Sequence, residues 1–209
     1  MGECVNLYTT QKTIKPYHLE LLKQADYHCK DLKSILKLEQ KQKVSVFVYK
    51  THAQKKIIFG AAETDVCDIK NIGIHINEEP LPHSSLRHEL VHALLAKKGF
   101  YGLGFHPNMS FTEGIAVALA PGFESKSLHE LAASAIKTLK IKSPKDFFGN
   151  HFWTYSGRSS YTIAGSFWRF LLEKDEQQAI LKMYSGSGPI WKNQKSLTDY
   201  HLELSLIYI

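Results

Sequence analysis

Apolar and polar residues repeat with two different periods along the first 80 residues of this chain. In the first segment apolar residues recur every three or four positions with lysines between them, which predicts an amphipathic helix over 16–40. Apolar and polar residues then alternate over 44–49 and 71–77, as is typical of strands with one buried face. A further strand is predicted over 56–61. Together these segments predict a helix and a small sheet.

Helical periodicity dominates the remainder of the chain. Helices are predicted over 84–98, 111–120, 127–140, 161–174 and 176–184, with a short helical turn over 143–148. The whole chain is therefore predicted to be one α+β domain. Its helix and sheet portion covers about 1–80, its mostly helical portion about 81–185, and its tail 186–209.

Composition narrows the class of protein. With 209 residues, 44% of them hydrophobic, the chain is long enough to bury a core. No stretch approaches the ~18 consecutive apolar residues of a membrane helix, so no membrane segment is expected. The net charge is +6, but the lysines are spread along the chain without interleaved stacking aromatics. This pattern favours a solvated surface over nucleic-acid binding. The composition indicates no particular oligomeric state.

The cysteines and the N-terminus bear on the compartment. Cys4, Cys29 and Cys67 are scattered without a CxxC pair, which argues against a thiolate zinc site. Their odd number fits a reducing compartment. Residues 1–13 lack the basic and apolar regions of a signal peptide. We therefore expect a cytoplasmic protein, or a periplasmic or secreted one if a leader has been removed.

The sequence HELVH at 88–92 is the segment that most clearly indicates chemistry. Four residues make slightly more than one helical turn, so His88 and His92 project from one face and can share a metal ion. Glu89 is rotated away from His88, from where it can reach a metal-bound water. The alternative is an amphipathic helix whose two histidines merely line a polar edge.

A catalytic zinc ion needs three protein ligands and a water. Glu113, 21 residues beyond His92, lies on the predicted helix 111–120, whose small residues allow close packing on the HELVH helix. His106, 14 residues beyond His92, is the rival ligand in a glycine-containing loop. An ordinary first-turn glutamate, favoured by the helix dipole, is the simpler interpretation of Glu113.

Three segments in this order resemble the gluzincin metallopeptidases, and among them the bacterial peptidase-MA-like families. These segments are HELVH at 88–92, TEGIA at 112–116 and YTIAGSFWRFL at 161–171. The resemblance covers about 44–184.

The resemblance implies a zincin-like fold with the zinc in a cleft between the sheet portion and the helical lobe. It implies one zinc ion per chain, held by His88, His92 and Glu113, with Glu89 as the general base. It also implies that Tyr161 faces the cleft.

One position departs from the family pattern. Thermolysin-like gluzincins carry a carboxylate four residues after the ligand glutamate, where this chain has Val117. Asn108, Thr112 or a backbone carbonyl would then have to orient His88.

These residues predict a zinc peptidase that acts on a peptide or protein, with endo- and exo-action both open. Tyr161 is the expected oxyanion donor, with His151, Tyr155 and Arg158 as alternatives. If 71–77 is the edge strand, an extended peptide can pair with it. The competing function is a zinc-binding module of the same fold without peptidase activity. The intact Glu89 favours the enzyme.

Overall fold

The computed structural model of this protein describes residues 1–39, 42–100, 104–120, 127–141, 150–155, 157–186 and 200. The chain divides into two compact units, Met1–Lys97 and Lys98–Ile209. The first unit contains a sheet with helices, and the described part of the second is helical, so the predicted α+β class is confirmed. No described helix is both long enough and apolar enough to span a membrane.

The first unit is built around a four-stranded mixed sheet. Its elements are β1 (Val5–Thr9), α1 (Pro16–Ile35), β2 (Val44–Tyr49), α2 (His52–Phe59), β3 (Val66–Asp68), β4 (Gly73–Asn77) and α3 (Leu86–Leu95). The strand order is β1-β2-β4-β3, in which only β3 is antiparallel to its neighbour. Val46, Val48 and Ile74 are buried on one face, which α1 and α3 cover. The β2 strand was predicted with these bounds, whereas α1 ends earlier than predicted.

The strand predicted over 56–61 is wrong, because this segment belongs largely to helix α2. The Thr51 side chain caps the start of the helix, and Gly60 ends it with a left-handed φ of 98°. The apolar residues of this segment are misleading because the two isoleucines of α2 face solvent, whereas Lys55 is fully buried. The side that packs on the sheet is therefore not the more apolar side of the segment.

The strand predicted over 71–77 exists as β4, but it lies inside the sheet. It is hydrogen-bonded to β2 on one side and to β3 on the other. The expectation that a peptide substrate pairs with this strand is therefore wrong. The edge strand beside β4 is β3, whose three residues are too few to show an alternating pattern.

A disulfide between Cys4 and Cys29 links the start of β1 to α1. Both cysteines are buried, and Asp26 Oδ1 accepts hydrogen bonds from the backbone N–H groups of Cys4 and Val5 beside it. Cys67 is a free, buried thiol. The odd cysteine count is therefore no sign of a reducing compartment, because disulfides persist mainly in oxidising ones.

A row of stacked rings lies on the face of the sheet opposite the buried valines. His75 of β4 stacks on Phe59 of α2 and on Phe47 of β2, with ring centroids 3.8 and 4.8 Å away. Phe47 stacks in turn on Tyr8 of β1. The Tyr49 hydroxyl lies 2.8 Å from His75 Nδ1. His75 thus holds α2 against the sheet.

We expect the stability of the fold to fall in mild acid because of His75. Burial lowers the pKa of His75, and the carboxylate of Asp68 only partly offsets this effect. The unfolded chain therefore takes up the proton first, so the free energy of unfolding falls as the pH drops below the ordinary histidine pKa of ~6.5. Urea unfolding at about pH 7.5 and about pH 5.5 measures the difference.

The control for this pH dependence is His75→Phe, which keeps a stacked ring without a titrating nitrogen. It should reduce the loss of stability between the two pH values. His28 and His106, whose pKa values burial also lowers, supply the part that remains. An unchanged pH dependence in His75→Phe would contradict the assignment.

The second unit is a set of packed helices. Its described elements are α4 (Met109–Leu119), α5 (Leu128–Leu139), a short 3-10 helix (Asn150–Thr154), α6 (Gly157–Glu173) and α7 (Gln177–Tyr184). Helix α6 packs against both α4 and α5. The fully buried Trp168 of α6 donates a hydrogen bond from Nε1 to the Ser110 carbonyl at 3.0 Å. Val117 of α4 is buried against Gly165.

The helix boundaries of this unit are partly as predicted. The capping box of Ser127 and Glu130 starts α5 as expected. Helices α4 and α6 begin earlier than predicted, at Met109 and Gly157. The predicted turn over 143–148 lies outside the described residues, as does the tail over 186–209 apart from residues 186 and 200.

We expect Gly114→Ala to destabilise the second unit by about 1–3 kcal/mol, the usual cost of overpacking a core. A Cβ at this position would lie 2.6 Å from Trp168 Cδ1 and 2.9 Å from Ala164 Cβ. The hydrogen bond of Trp168 prevents the ring from moving away. Gly157→Ala on α6 is the control, because its Cβ would meet no atom within 4 Å. Urea unfolding of both variants should separate them, and equal stabilities would contradict the close packing.

Candidate metal centre

Helix α3 carries the HELVH segment and is slightly shorter than predicted. Its leucines and its valine are fully buried, which fixes the helix in the core of the first unit. His92 is 7% exposed and Glu89 is 8% exposed, while His88 is half-buried. The three polar side chains therefore lie mostly out of water, where their interactions with a charge are stronger than at the surface.

The imidazoles of His88 and His92 lie together, as their spacing of four residues predicts. Their Nε2 atoms are 3.1 Å apart, and the ring planes are inclined at 78°. Zinc binds histidine nitrogen at about 2.0–2.1 Å, so two nitrogens at this separation subtend about 100° at one ion, close to a tetrahedral angle. Both rings thus present the same nitrogen to one point.

Glu113 lies in the second turn of α4 and is half-buried. The helix begins two residues earlier than predicted, with Asn108 as its N-cap, so Glu113 is not the first-turn residue that the helix dipole favours. His88 and His92 of the first unit offer two ligand nitrogens, and Glu113 of the second unit is the carboxylate that the sequence predicts as the third ligand. Two imidazole nitrogens and a carboxylate oxygen are a ligand set of catalytic zinc sites, which leave a fourth position for water. The donor chemistry therefore fits zinc.

Glu89 lies toward strand β3. Burial raises the pKa of the Cys67 thiol on that strand, and the negative charges of Glu89 and Asp68 raise it further. The thiol is therefore protonated at neutral pH.

The half-buried carboxylate of Asp65 holds the start of α3. Asp65 Oδ2 accepts a hydrogen bond from the hydroxyl of Ser85, the N-cap residue of α3, at 2.5 Å. Asp65 Oδ1 accepts bonds from Lys55 Nζ and from the Asn77 N–H, both at 3.1 Å. The Asp65 carboxylate thus joins α2, β4 and α3. The sequence gives no sign of this role, because Lys55 stands in a lysine pair that resembles a surface segment.

A second contact fixes α3 against α1. Arg87, the residue before His88, pairs with Asp31 of α1 at 2.6 Å. Arg87 also lies 3.2 Å from His28 Nδ1, and both burial and this guanidinium lower the pKa of His28. Ser85 and Arg87, at the start of α3, are therefore both anchored within the first unit.

His106, the rival third ligand, is half-buried in the loop before α4. Its Nδ1 accepts a hydrogen bond from the Asn108 N–H, and its ring stacks on Phe111. The Thr112 hydroxyl accepts a hydrogen bond from the His106 N–H and donates one to the His106 carbonyl. These bonds shape the loop before α4. They also occupy Thr112, one of the residues considered for orienting His88.

Tyr161 lies in the second turn of α6 and is half-buried against Phe152, with ring centroids 5.6 Å apart. The expectation that it opens its helix is wrong, because α6 begins at Gly157. Among the alternative oxyanion donors, Tyr155 is half-buried and Arg158 is exposed. The side chain of His151 lies outside the described part of the chain. The choice among these donors stays a prediction.

The chain matches no model of a protein family, and a search of curated proteins also gives no match. The function is therefore inferred from the side chains described above.

Proposed function

We propose that this protein is a zinc-dependent peptidase in which His88, His92 and Glu113 bind one zinc ion and Glu89 is the general base. The observation that carries the proposal is the pair of imidazole nitrogens of His88 and His92, which lie only 3.1 Å apart on a buried helix. Glu89, whose carboxylate can take up and release a proton, directly follows His88 in the sequence.

The chemistry divides among these residues by type. A bound zinc ion would supply positive charge to polarise a carbonyl and to lower the pKa of a water. His88 and His92 would hold the ion through their imidazole nitrogens, and Glu113 would add a negative charge that favours a cation. Glu89, one residue from His88 and mostly out of water, takes the proton of the attacking water and delivers it to the leaving amine. Tyr161 is the proposed donor to the oxyanion.

The proposed substrate is a peptide or protein. The competing proposal is a zinc-binding module of the same fold that does not hydrolyse peptides. Both proposals need the same three ligands, and they differ in the role of Glu89. The enzyme needs the buried carboxylate of Glu89 to take the proton of the water, whereas a module that only binds zinc does not.

The first test separates zinc binding from hydrolysis. The wild-type protein should contain about one zinc ion per chain and cleave peptides in a proteome-derived library. Glu89→Gln should keep the zinc but lose hydrolysis by at least about 10²-fold, because the amide cannot accept the water proton. His92→Ala should lose both zinc and hydrolysis.

Elemental analysis and cleavage of the same library measure the two properties. Full turnover by Glu89→Gln would show that another group is the base. Zinc in the wild type without any cleavage would favour the zinc-binding module. Protein that takes up no zinc would remove both proposals.

The second test identifies the third ligand. Glu113→Gln should weaken zinc binding by about 10–100-fold or more, because it removes the anionic ligand. His106→Gln is the matched control, since His106 belongs to the loop before α4. Zinc competition with a chromophoric chelator gives both affinities. A larger loss in His106→Gln than in Glu113→Gln would transfer the role to His106.

A further inference from the structure

The turn that joins β4 to α3, residues 78–85, is held against α1 by hydrogen bonds to its backbone. The Gln24 side chain accepts a bond from the His83 N–H at 3.0 Å and donates one to the His83 carbonyl at 3.3 Å. The Tyr17 hydroxyl accepts a bond from the Glu79 N–H at 3.3 Å. These bonds fix the backbone that carries the buried ring of His83.

Both ring nitrogens of His83 face oxygen atoms, and the residue is only 2% exposed. Nε2 lies 3.0 Å from the carbonyl oxygen of Asn77. Nδ1 lies 3.0 Å from Glu79 Oε1 and 3.5 Å from Ser85 Oγ. A carbonyl and an ionised carboxylate only accept hydrogen bonds, so each nitrogen bonds to its neighbour only when it carries a proton.

The neighbouring donors do not change this requirement. The Ser85 hydroxyl donates its hydrogen to Asp65 Oδ2 at 2.5 Å, so it presents a lone pair to the His83 ring. The Ser84 N–H also donates to Glu79 Oε1, as expected for an ionised carboxylate. The groups that face the two nitrogens are therefore all acceptors, which is the environment of a doubly protonated ring.

The charges of the surrounding elements favour a cation at this position. Glu79 of the turn is negative, and Asp65, which Ser85 links to the ring, is negative as well. Lys55 of α2 is paired with the same Asp65 carboxylate. Helix α1 contributes the neutral amide of Gln24 and the hydroxyl of Tyr17. Burial and the negative charges of Glu79 and Asp65 raise the pKa of Tyr17, so this hydroxyl stays uncharged.

We propose that His83 is a buried imidazolium that locks the turn before α3, and that loss of one of its protons at alkaline pH releases the start of this helix. A neutral ring would turn a nitrogen lone pair toward the Glu79 carboxylate or toward the Asn77 carbonyl, and a buried acceptor without a donor is destabilising. Ser85, the N-cap residue of α3, would lose its contact with the ring. The Glu79 side chain is 33% exposed, which gives the proton a path to water.

The direct test is the protonation of the His83 ring in the full-length protein, read from NMR correlations between its ring hydrogens and its two nitrogens. Both nitrogens should carry a proton at about pH 7.5, where an ordinary histidine is mostly neutral. His52 is the comparison within the same protein, because it pairs with Glu63 at 2.5 Å while both side chains are more than half exposed. Water screens that pair, so His52 should lose its second proton at a lower pH than His83. A His83 ring with one proton at pH 7.5 would overturn the proposal.

Urea unfolding measures the same proton by a second route. The folded state should bind one proton more than the unfolded chain, so the equilibrium constant of unfolding should rise at least about fivefold between about pH 7 and about pH 8.5. This dependence has the opposite sign to that of His75, whose lowered pKa leaves it neutral in this range. The buried thiol of Cys67, whose pKa is raised, adds a smaller rise in the same direction.

Three variants assign the rise to His83. His83→Gln should leave only the part that Cys67 supplies, because the amide carries no charge in either state. Glu79→Gln should also reduce the rise, and its amide oxygen can still accept the Ser84 N–H, so the turn can still form. His52→Gln is the matched control, because it removes an exposed His–Glu pair, and it should keep the rise of the wild type.

Two outcomes of the unfolding series contradict the proposal. One is a rise in Glu79→Gln and His83→Gln that equals the rise of the wild type. The other is a rise that His52→Gln removes. The contacts of His83 lie within the first unit, so neither measurement depends on the proposed zinc chemistry.

Discussion

The position of α3 depends on the hydrogen bonds that the Asp65 carboxylate accepts. This carboxylate accepts hydrogen bonds from the buried Lys55 of α2, from the end of β4 and from the hydroxyl of Ser85. Lys55 has no contact with solvent, so its charge requires this carboxylate, and breaking such a pair costs about 3–5 kcal/mol. The same carboxylate therefore stabilises the first unit and fixes the start of the helix that carries His88.

Rigidity of α3 is what gives the histidine pair its chemical meaning. Two imidazoles on a loop would have to be ordered by the metal, whereas His88 and His92 already face one another on a helix anchored at its start by Ser85 and Arg87. Less binding free energy is then spent on ordering the ligands. Glu89 shares that rigid support, which a proton-transferring group needs in order to stay within reach of its water.

Local patterns predicted the parts of this protein that depend on neighbouring residues. The alternation of β2, the capping box of α5 and the juxtaposition of His88 with His92 all follow from spacings of two to four residues. The misassigned segments depend on distant partners instead. Lys55 is buried because Asp65 lies ten residues further along, and β4 is internal because the three-residue β3 covers its edge. The distance along the chain from His92 allows either Glu113 or His106 as the third ligand. Glu113 was preferred only because it lies on a predicted helix, whereas His106 lies in a loop.

The most direct measurement of the central claim is a crystal structure of the zinc-loaded protein, with diffraction data collected on both sides of the zinc absorption edge. The account predicts a single anomalous peak within about 2.3 Å of Nε2 of His88, Nε2 of His92 and a carboxylate oxygen of Glu113. Glu89 should lie beside the ion without binding it. A peak on other residues, such as His106, or no peak at His88 and His92 in zinc-saturated crystals, would contradict it.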